Sequence, residues 1–218
     1  MRRIKSYVIV VKGNPASEYY AKYCRPSWEQ VGLYPEIFDA VTPSDLKNLS
    51  ELKFADKIDR QIFADRGLSV GFTETEKACW YSHYFLWSKC VKMDEPIVIM
   101  EHDSFLEKPL KFWYDEKFLM IFYDKAAMGS YYISPKYAKK LVEISLKNII
   151  NTGPYSFVNN VTIGLKLQDY VVSSDHIFYD PASNQVMSEK YGSTVEHFTT
   201  SNKHLFKQSM FHKFKNIE

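Results

Sequence analysis

A chain of 218 residues, 45% apolar and 25% charged, has enough of both kinds for a sizeable core. Its net charge of +2 gives no signal for nucleic acid or an anionic membrane, and no stretch approaches the ~20 apolar residues of a spanning helix. Three cysteines, Cys24, Cys79 and Cys90, are odd in number and lack metal-site spacing, which predicts a reducing, cytoplasmic setting.

Met1-Arg2-Arg3 is basic, but the apolar run behind it, Tyr7 to Val11, is too short for a signal-peptide core. Ile4 to Val11 reads as a first strand, broken by Lys12-Gly13-Asn14-Pro15. Ala16 to Val31 has Tyr20, Tyr23, Cys24 and Trp28 at helical spacing, with Ser17 as a capping residue and Gly32 as the stop. Tyr34 to Ala40 reads as a second strand, so the opening is βαβ and favours a parallel sheet. Gly13 stands alone, so there is no dinucleotide-binding fingerprint. Lys12-Gly13-Asn14 is either an ordinary strand–helix turn or a contact for a ligand at the sheet's carboxyl edge.

Thr42 to Gly71 is less regular and reads as an excursion over the sheet edge, either a surface loop or a lid. Thr73-Glu74-Thr75-Glu76 is a capping box, and the helix it starts runs to about Met93. Cys79, His83, Leu86 and Cys90 form one stripe of that helix; Trp80, Trp87 and Val91 form the next. Asp94-Glu95-Pro96 turns directly into a buried strand, Ile97 to Met100, which stops at Glu101-His102-Asp103. Five strand residues climb ~16 Å, which roughly 11 helical residues match on the way down. Ser82 and His83 are therefore expected level with Glu101 and Asp103. Phe118 to Tyr123 is another apolar run, ending at Asp124. Tyr131-Tyr132-Ile133 precedes Ser134, a capping residue, and an amphipathic helix from Lys136 to Ile150. Ser156 to Leu167 reads as helical and Tyr170 to Val172 as a strand. The basic, aromatic tail from Ser201 is either a solvated helix or a patch for an anionic lipid or acceptor. No repeat or linker divides residues 1–218, so one domain is expected.

Two carboxylates around one residue at the end of a buried strand are costly without a cation. Open α/β sheets bind ligands beyond the carboxyl ends of their strands. The tip therefore implies a divalent-metal site holding a nucleotide diphosphate.

Thr73, Glu76, Cys79, Ser82-His83 and Trp87, followed by Ile97-Val98-Ile99-Met100-Glu101-His102-Asp103, resemble glycosyltransferase family 25. That family carries Thr-x-Gly-Glu-x-Gly-Cys-x-x-Ser-His and then a strand ending Glu-Asp-Asp. Here Thr75 and Ala78 replace the two glycines, and His102 replaces the central Asp. The resemblance extends back through Phe38-Asp39-Ala40-Val41 and forward through Tyr132-Ile133-Ser134, Ala138 and Leu141. It implies an α/β, GT-A-like fold: a Rossmann-like, mostly parallel sheet flanked by helices. It also implies a Mn2+ or Mg2+ cofactor held by Asp103 and Glu101, and a nucleotide-sugar donor, UDP-linked. From their own places, Lys12, Gly13 and Asn14 at the sheet's carboxyl edge and Ser82 and His83 level with Glu101 are the candidate donor contacts, with Glu101 itself. The acceptor would be a saccharide hydroxyl, with inversion at the anomeric carbon, and the protein would be cytoplasmic or peripheral to the inner face of the membrane. A hydroxylated base in DNA is the alternative acceptor.

Strand alternation sets His102 on the opposite side from Glu101 and Asp103 and argues against it as a ligand. Cys79 reads as a packing residue. Where the family has an Asp near a Pro, this chain has Gly153-Pro154 followed by Asn159-Asn160. The base is thus unassigned among Asp124, Asp175 and Asp180, with Asp169 also in that region. The amides and His102 motivate a second reading, a catalytically silent nucleotide-sugar-binding module. A third, a metal-dependent phosphoesterase using Glu101, His102, Asp103 and His83, is disfavoured by the same alternation.

Overall fold

The computed structural model of the chain describes residues 4–30, 32–56, 71–104, 119–123, 128–154, 157–158, 166–168, 179–180 and 185–186. The first apolar run forms β1 (Lys5–Val10), buried everywhere except Lys5. Helix α1 (Pro15–Gln30) follows at once. Asn14, not Ser17, caps it: Asn14 Oδ1 accepts from the Ala16 and Ser17 amides at 3.0 and 3.1 Å. Ser17 Oγ instead accepts from Val11 N at 2.8 Å, tying the helix back to the end of β1. Gly32, at φ 79°, ends α1 as expected. Its amide reaches Glu29 O and the Leu33 amide reaches Trp28 O, with Leu33 and Trp28 both buried. That pattern satisfies the last carbonyls of the helix in a left-handed turn that glycine adopts without strain.

Strand β2 (Glu36–Asp39) is shorter than the sequence run. A 3₁₀ turn (Pro43–Asn48) and the two-residue β3 (Lys53–Phe54) come next. Helix α2 (Glu74–Met93) has the full predicted capping box, with Glu76 N donating to Thr73 Oγ1 and Thr73 N to Glu76 Oε2. Asp94, at φ 52°, turns the chain into β4 (Ile97–Glu101), whose first four residues are buried. Then come β5 (Leu119–Tyr123), β6 (Met128–Ile133), α3 (Pro135–Lys147), β7 (Ile149–Ile150), β8 (Lys166–Gln168), β9 (Tyr179–Asp180) and β10 (Gln185–Val186).

Six strands form one mixed sheet in the order β2-β1-β4-β6-β5-β8. The βαβ opening is parallel, as expected, and β4 joins β1 in parallel on its other side. Strand β6 runs against both β4 and β5, and β8 is parallel to β5, so five of the six strands point one way. The sheet is thus α/β and mostly parallel. Tyr7, Ile9, Ile97, Ile99, Tyr131 and Ile133 belong to one core with Trp80, Leu86 and Trp87 of α2 and Leu141 of α3. The other parity, Val8, Val10, Val98, Met100 and Tyr132, is buried too. Runs that are apolar at every position need cover on both faces.

Three further expectations need correction. Ile149 and Ile150 leave the helix and pair in parallel with Lys53 and Phe54, so α3 stops at Lys147. Lys166–Gln168 is a strand beside β5, not the end of a helix from Ser156. Ser134 occupies the cap position of α3, yet its side chain makes no cap bond; Pro135, lacking an N–H, starts the helix.

Candidate functional site

The register fixes what meets at the sheet's carboxyl edge. Ile9 lies opposite Glu101 and Val10 opposite Asp39. The ends of β2, β1 and β4 are therefore level, and the turns that follow them share one rim. Lys12 is exposed there, with its Nζ 3.9 Å from Asp39 Oδ2. Gly13 makes the turn at φ 77° and its amide goes to Glu18 Oε1 at 2.7 Å. With Asn14 capping α1, Lys12 is the member of this triplet whose charged end faces outward at the rim.

The expected levelling of α2 against β4 holds for His83. Its Nε2 is 3.7 Å from Glu101 Oε1. The imidazole is fully buried and Glu101 is about a quarter exposed (26%), so the carboxylate bridges the core and the rim. Tyr131 on β6 locks the ring: its Oη is 2.8 Å from His83 Nδ1 and accepts from Trp87 Nε1 at 2.7 Å. Burial pushes the Tyr131 phenol well up, so it stays protonated and can donate to Nδ1. In that tautomer the His83 proton sits on Nε2 and faces Glu101.

One helical turn before His83 is Cys79. Its sulfur, a His83 ring nitrogen and a Glu101 oxygen all lie within 4.8 Å of one another. Burial first, then the charges of Glu101, Glu76 and Asp103, push the Cys79 thiol well up. Ser82, by contrast, ties the segment after β2 to α2: its Oγ accepts from Val41 N at 2.9 Å and donates to Ala78 O at 3.1 Å.

Beyond Glu101 the chain turns. His102 is buried and stacks on Tyr20 of α1, with ring centroids 6.0 Å apart. Asp103 is half-buried, and its charge adds to burial in raising Tyr20 and Cys24 of α1 as well as Cys79 of α2. Its charge is thus felt on both helices. Trp28 of α1 anchors the turn, its indole donating to Ser104 O at 2.5 Å.

Asp124 follows the end of β5, and Tyr123 pairs with Met128; Asp124, Asp169 and Asp175 lie outside the described residues. So do Asn159, Asn160, Tyr170 to Val172 and the tail from Ser201. Asp180 is in β9, described by its backbone. The sequence reading missed Cys79 and Tyr131. For Cys79 the sequence carries part of the signal, its place on one helix stripe with His83; that Glu101 meets both appears only in the fold. For Tyr131, 48 residues from His83, there was none.

Residues 21–124 match the family model of glycosyltransferase family 25 (LPS biosynthesis protein). Over that stretch, just under half of its length, the chain is similar to family 25. The matched segment runs from within α1 through α2 and β4 to the residue after β5, so it contains Cys79, His83, Glu101 and Asp103. The lipooligosaccharide biosynthesis protein lic2B of Haemophilus influenzae is 37% identical over 101 residues. That match takes in 45% of this chain and 34% of the relative, so the chain aligns with about a third of that protein's length. Among the described residues, no helix is long and apolar enough to cross a membrane.

Proposed function

We propose that this chain transfers a sugar from a nucleotide-sugar donor to a saccharide hydroxyl, as a single GT-A-like domain. The observation that carries the reading is the acidic tip Glu101-His102-Asp103, at the carboxyl edge of a mostly parallel sheet and inside the segment that matches family 25. The relative's printed name points to a lipooligosaccharide acceptor. A location at the inner face of the membrane suits such an acceptor.

The donor chemistry of the tip fits a hard divalent cation: two carboxylates, each partly exposed on a rim, offer the oxygens that Mg2+ or Mn2+ prefers. Asp103 and Glu101 would hold it, and when bound it would supply Lewis-acid stabilisation to a leaving nucleoside diphosphate such as UDP. The chain's own side chains account for the rest. Lys12 offers an exposed ammonium on the same rim to a diphosphate oxygen. Tyr131 holds His83 in one orientation, and His83 Nε2 would steady the Glu101 carboxylate from the core side. Gly13 and Asn14 shape the turn that presents Lys12. Ser82 would help by holding the segment after β2 in place through its bond from Val41 N.

In-line attack by the acceptor hydroxyl with a carboxylate base gives inversion. The candidates for that base are Asp124, Asp175 and Asp180. The test is incubation with Mn2+ and a panel of nucleotide sugars, with and without saccharide acceptors. Acceptor-stimulated release of nucleoside diphosphate is expected. Tight donor binding without turnover would instead make the chain a silent binding module, and release of nucleoside monophosphate a phosphoesterase.

A further inference from the structure

The side chains of Cys79, His83 and Glu101 make a donor set unlike the hard oxygen pair at the tip. It combines one thiol sulfur, one imidazole nitrogen and one carboxylate oxygen, all within 4.8 Å of one another. Two come from one helix at a four-residue spacing, which stacks them on one face. The third comes from the end of β4. We infer that these three residues form a site for a thiophilic divalent cation of the zinc class, separate in chemistry from the Asp103 end of the tip and sharing Glu101 with it.

Zinc takes sulfur, nitrogen and oxygen ligands in a tetrahedron with bonds of ~2.0–2.3 Å, which sets donor atoms ~3.3–3.6 Å apart. His83 Nε2 and Glu101 Oε1, at 3.7 Å, nearly meet that spacing. The widest pair needs to close by about 1 Å, within reach of side-chain rotation. His83 also has the outer partner that a ligating imidazole requires. When Nε2 turns its lone pair to the metal, the ring proton moves to Nδ1, and Tyr131 Oη at 2.8 Å accepts it. Tyr131 is itself fixed by Trp87, so the imidazole is preset. Forming the sulfur–metal bond breaks the S–H bond and releases that proton to solvent. Three protein ligands leave the fourth position for water or a bound ligand, as in reactive zinc sites. Because Glu101 is shared, zinc here would compete with the use of Glu101 at the tip.

This inference does not rest on sugar transfer, and its readout is spectroscopic. Metal-free protein, kept reduced with a phosphine, is titrated with Co2+. One cobalt per chain with a thiolate-to-metal charge-transfer band is expected, bleached by added Zn2+. The band should vanish in Cys79→Ser and persist in Cys24→Ser. Zinc should also raise the melting temperature of the wild type but not that of His83→Asn, which reads the site without needing the serine variant to fold. A folded wild type that binds cobalt without a charge-transfer band, or a band that survives Cys79→Ser, overturns the site. Nucleotide-sugar turnover with Mg2+ but no cobalt–thiolate band would refute this inference alone. A cobalt–thiolate band without turnover would refute the transfer reading alone.

Discussion

Replacing Tyr131 with phenylalanine removes one oxygen and keeps the ring. That oxygen is 2.7 Å from Trp87 Nε1 and 2.8 Å from His83 Nδ1, and all three side chains are buried. Taking away the acceptor strands the Trp87 indole N–H, and a stranded buried donor costs about 1–3 kcal/mol. Losing the His83 contact adds about 1 kcal/mol, the net worth of an ordinary hydrogen bond. The sum of about 2–4 kcal/mol is a large part of the ~5–15 kcal/mol that holds a typical domain. With a urea slope of about 1–3 kcal/mol/M, the unfolding midpoint should fall by about 1–2 M. Urea titration followed by tryptophan fluorescence measures it. The double variant Tyr131→Phe, Trp87→Phe removes donor and acceptor together, so it should lose less than the two single variants added. A single-variant loss below about 0.5 kcal/mol, or strict additivity, refutes Tyr131 as the shared partner.

Thr73→Ala breaks both halves of the α2 capping box and should cost about 0.5–2 kcal/mol in the same titration; an unchanged midpoint would mean that the packing of α2 alone fixes its start. Gly32→Ala forces a side chain into the left-handed turn at φ 79° and should lose about 1 kcal/mol. The cysteines give a pH dependence. Burial raises Cys24 and Cys79 well above the ordinary 9.0 and Cys90 to about 12, so above pH 9.0 the folded chain holds protons that the unfolded chain has lost. Stability should therefore fall as pH rises from there, and equal stability at about pH 8 and about pH 10.5 would contradict it. In the folded state the same thiols should alkylate far more slowly than free cysteine at about pH 8, read by mass spectrometry.

The elements with strong local signals were legible from the sequence. The capping box at Thr73, the glycine stop at Gly32 and the unbroken apolar runs of β1 and β4 each carry their own cause. The orientation of β6 was not, because alternation reports which face a side chain takes and not which way the strand runs. Nor was the exchange of Ile149 and Ile150 from helix to strand: two residues carry no period, and pairing with Lys53 and Phe54 decides them. At the site, helix and strand rise were enough to bring His83 to Glu101. The same rise could not tell that the neighbouring Ser82 hydroxyl would turn to Val41, since that depends on where the segment after β2 lies. The Tyr131–His83–Trp87 contact needs β6 beside β4, so it follows only from the sheet order.

The acidic tip Glu101-His102-Asp103 is the place proposed to hold the nucleotide-sugar while it is cleaved. Asp103→Ala tests it most directly, because Asp103 sits in the turn beyond β4 and is not part of the Tyr131 contacts that hold the core. The rate of nucleoside diphosphate release from the donor that the wild type uses should drop to background, at about 10²-fold or more below wild type, with an unchanged melting curve. Full turnover by the Asp103→Ala variant contradicts the assignment.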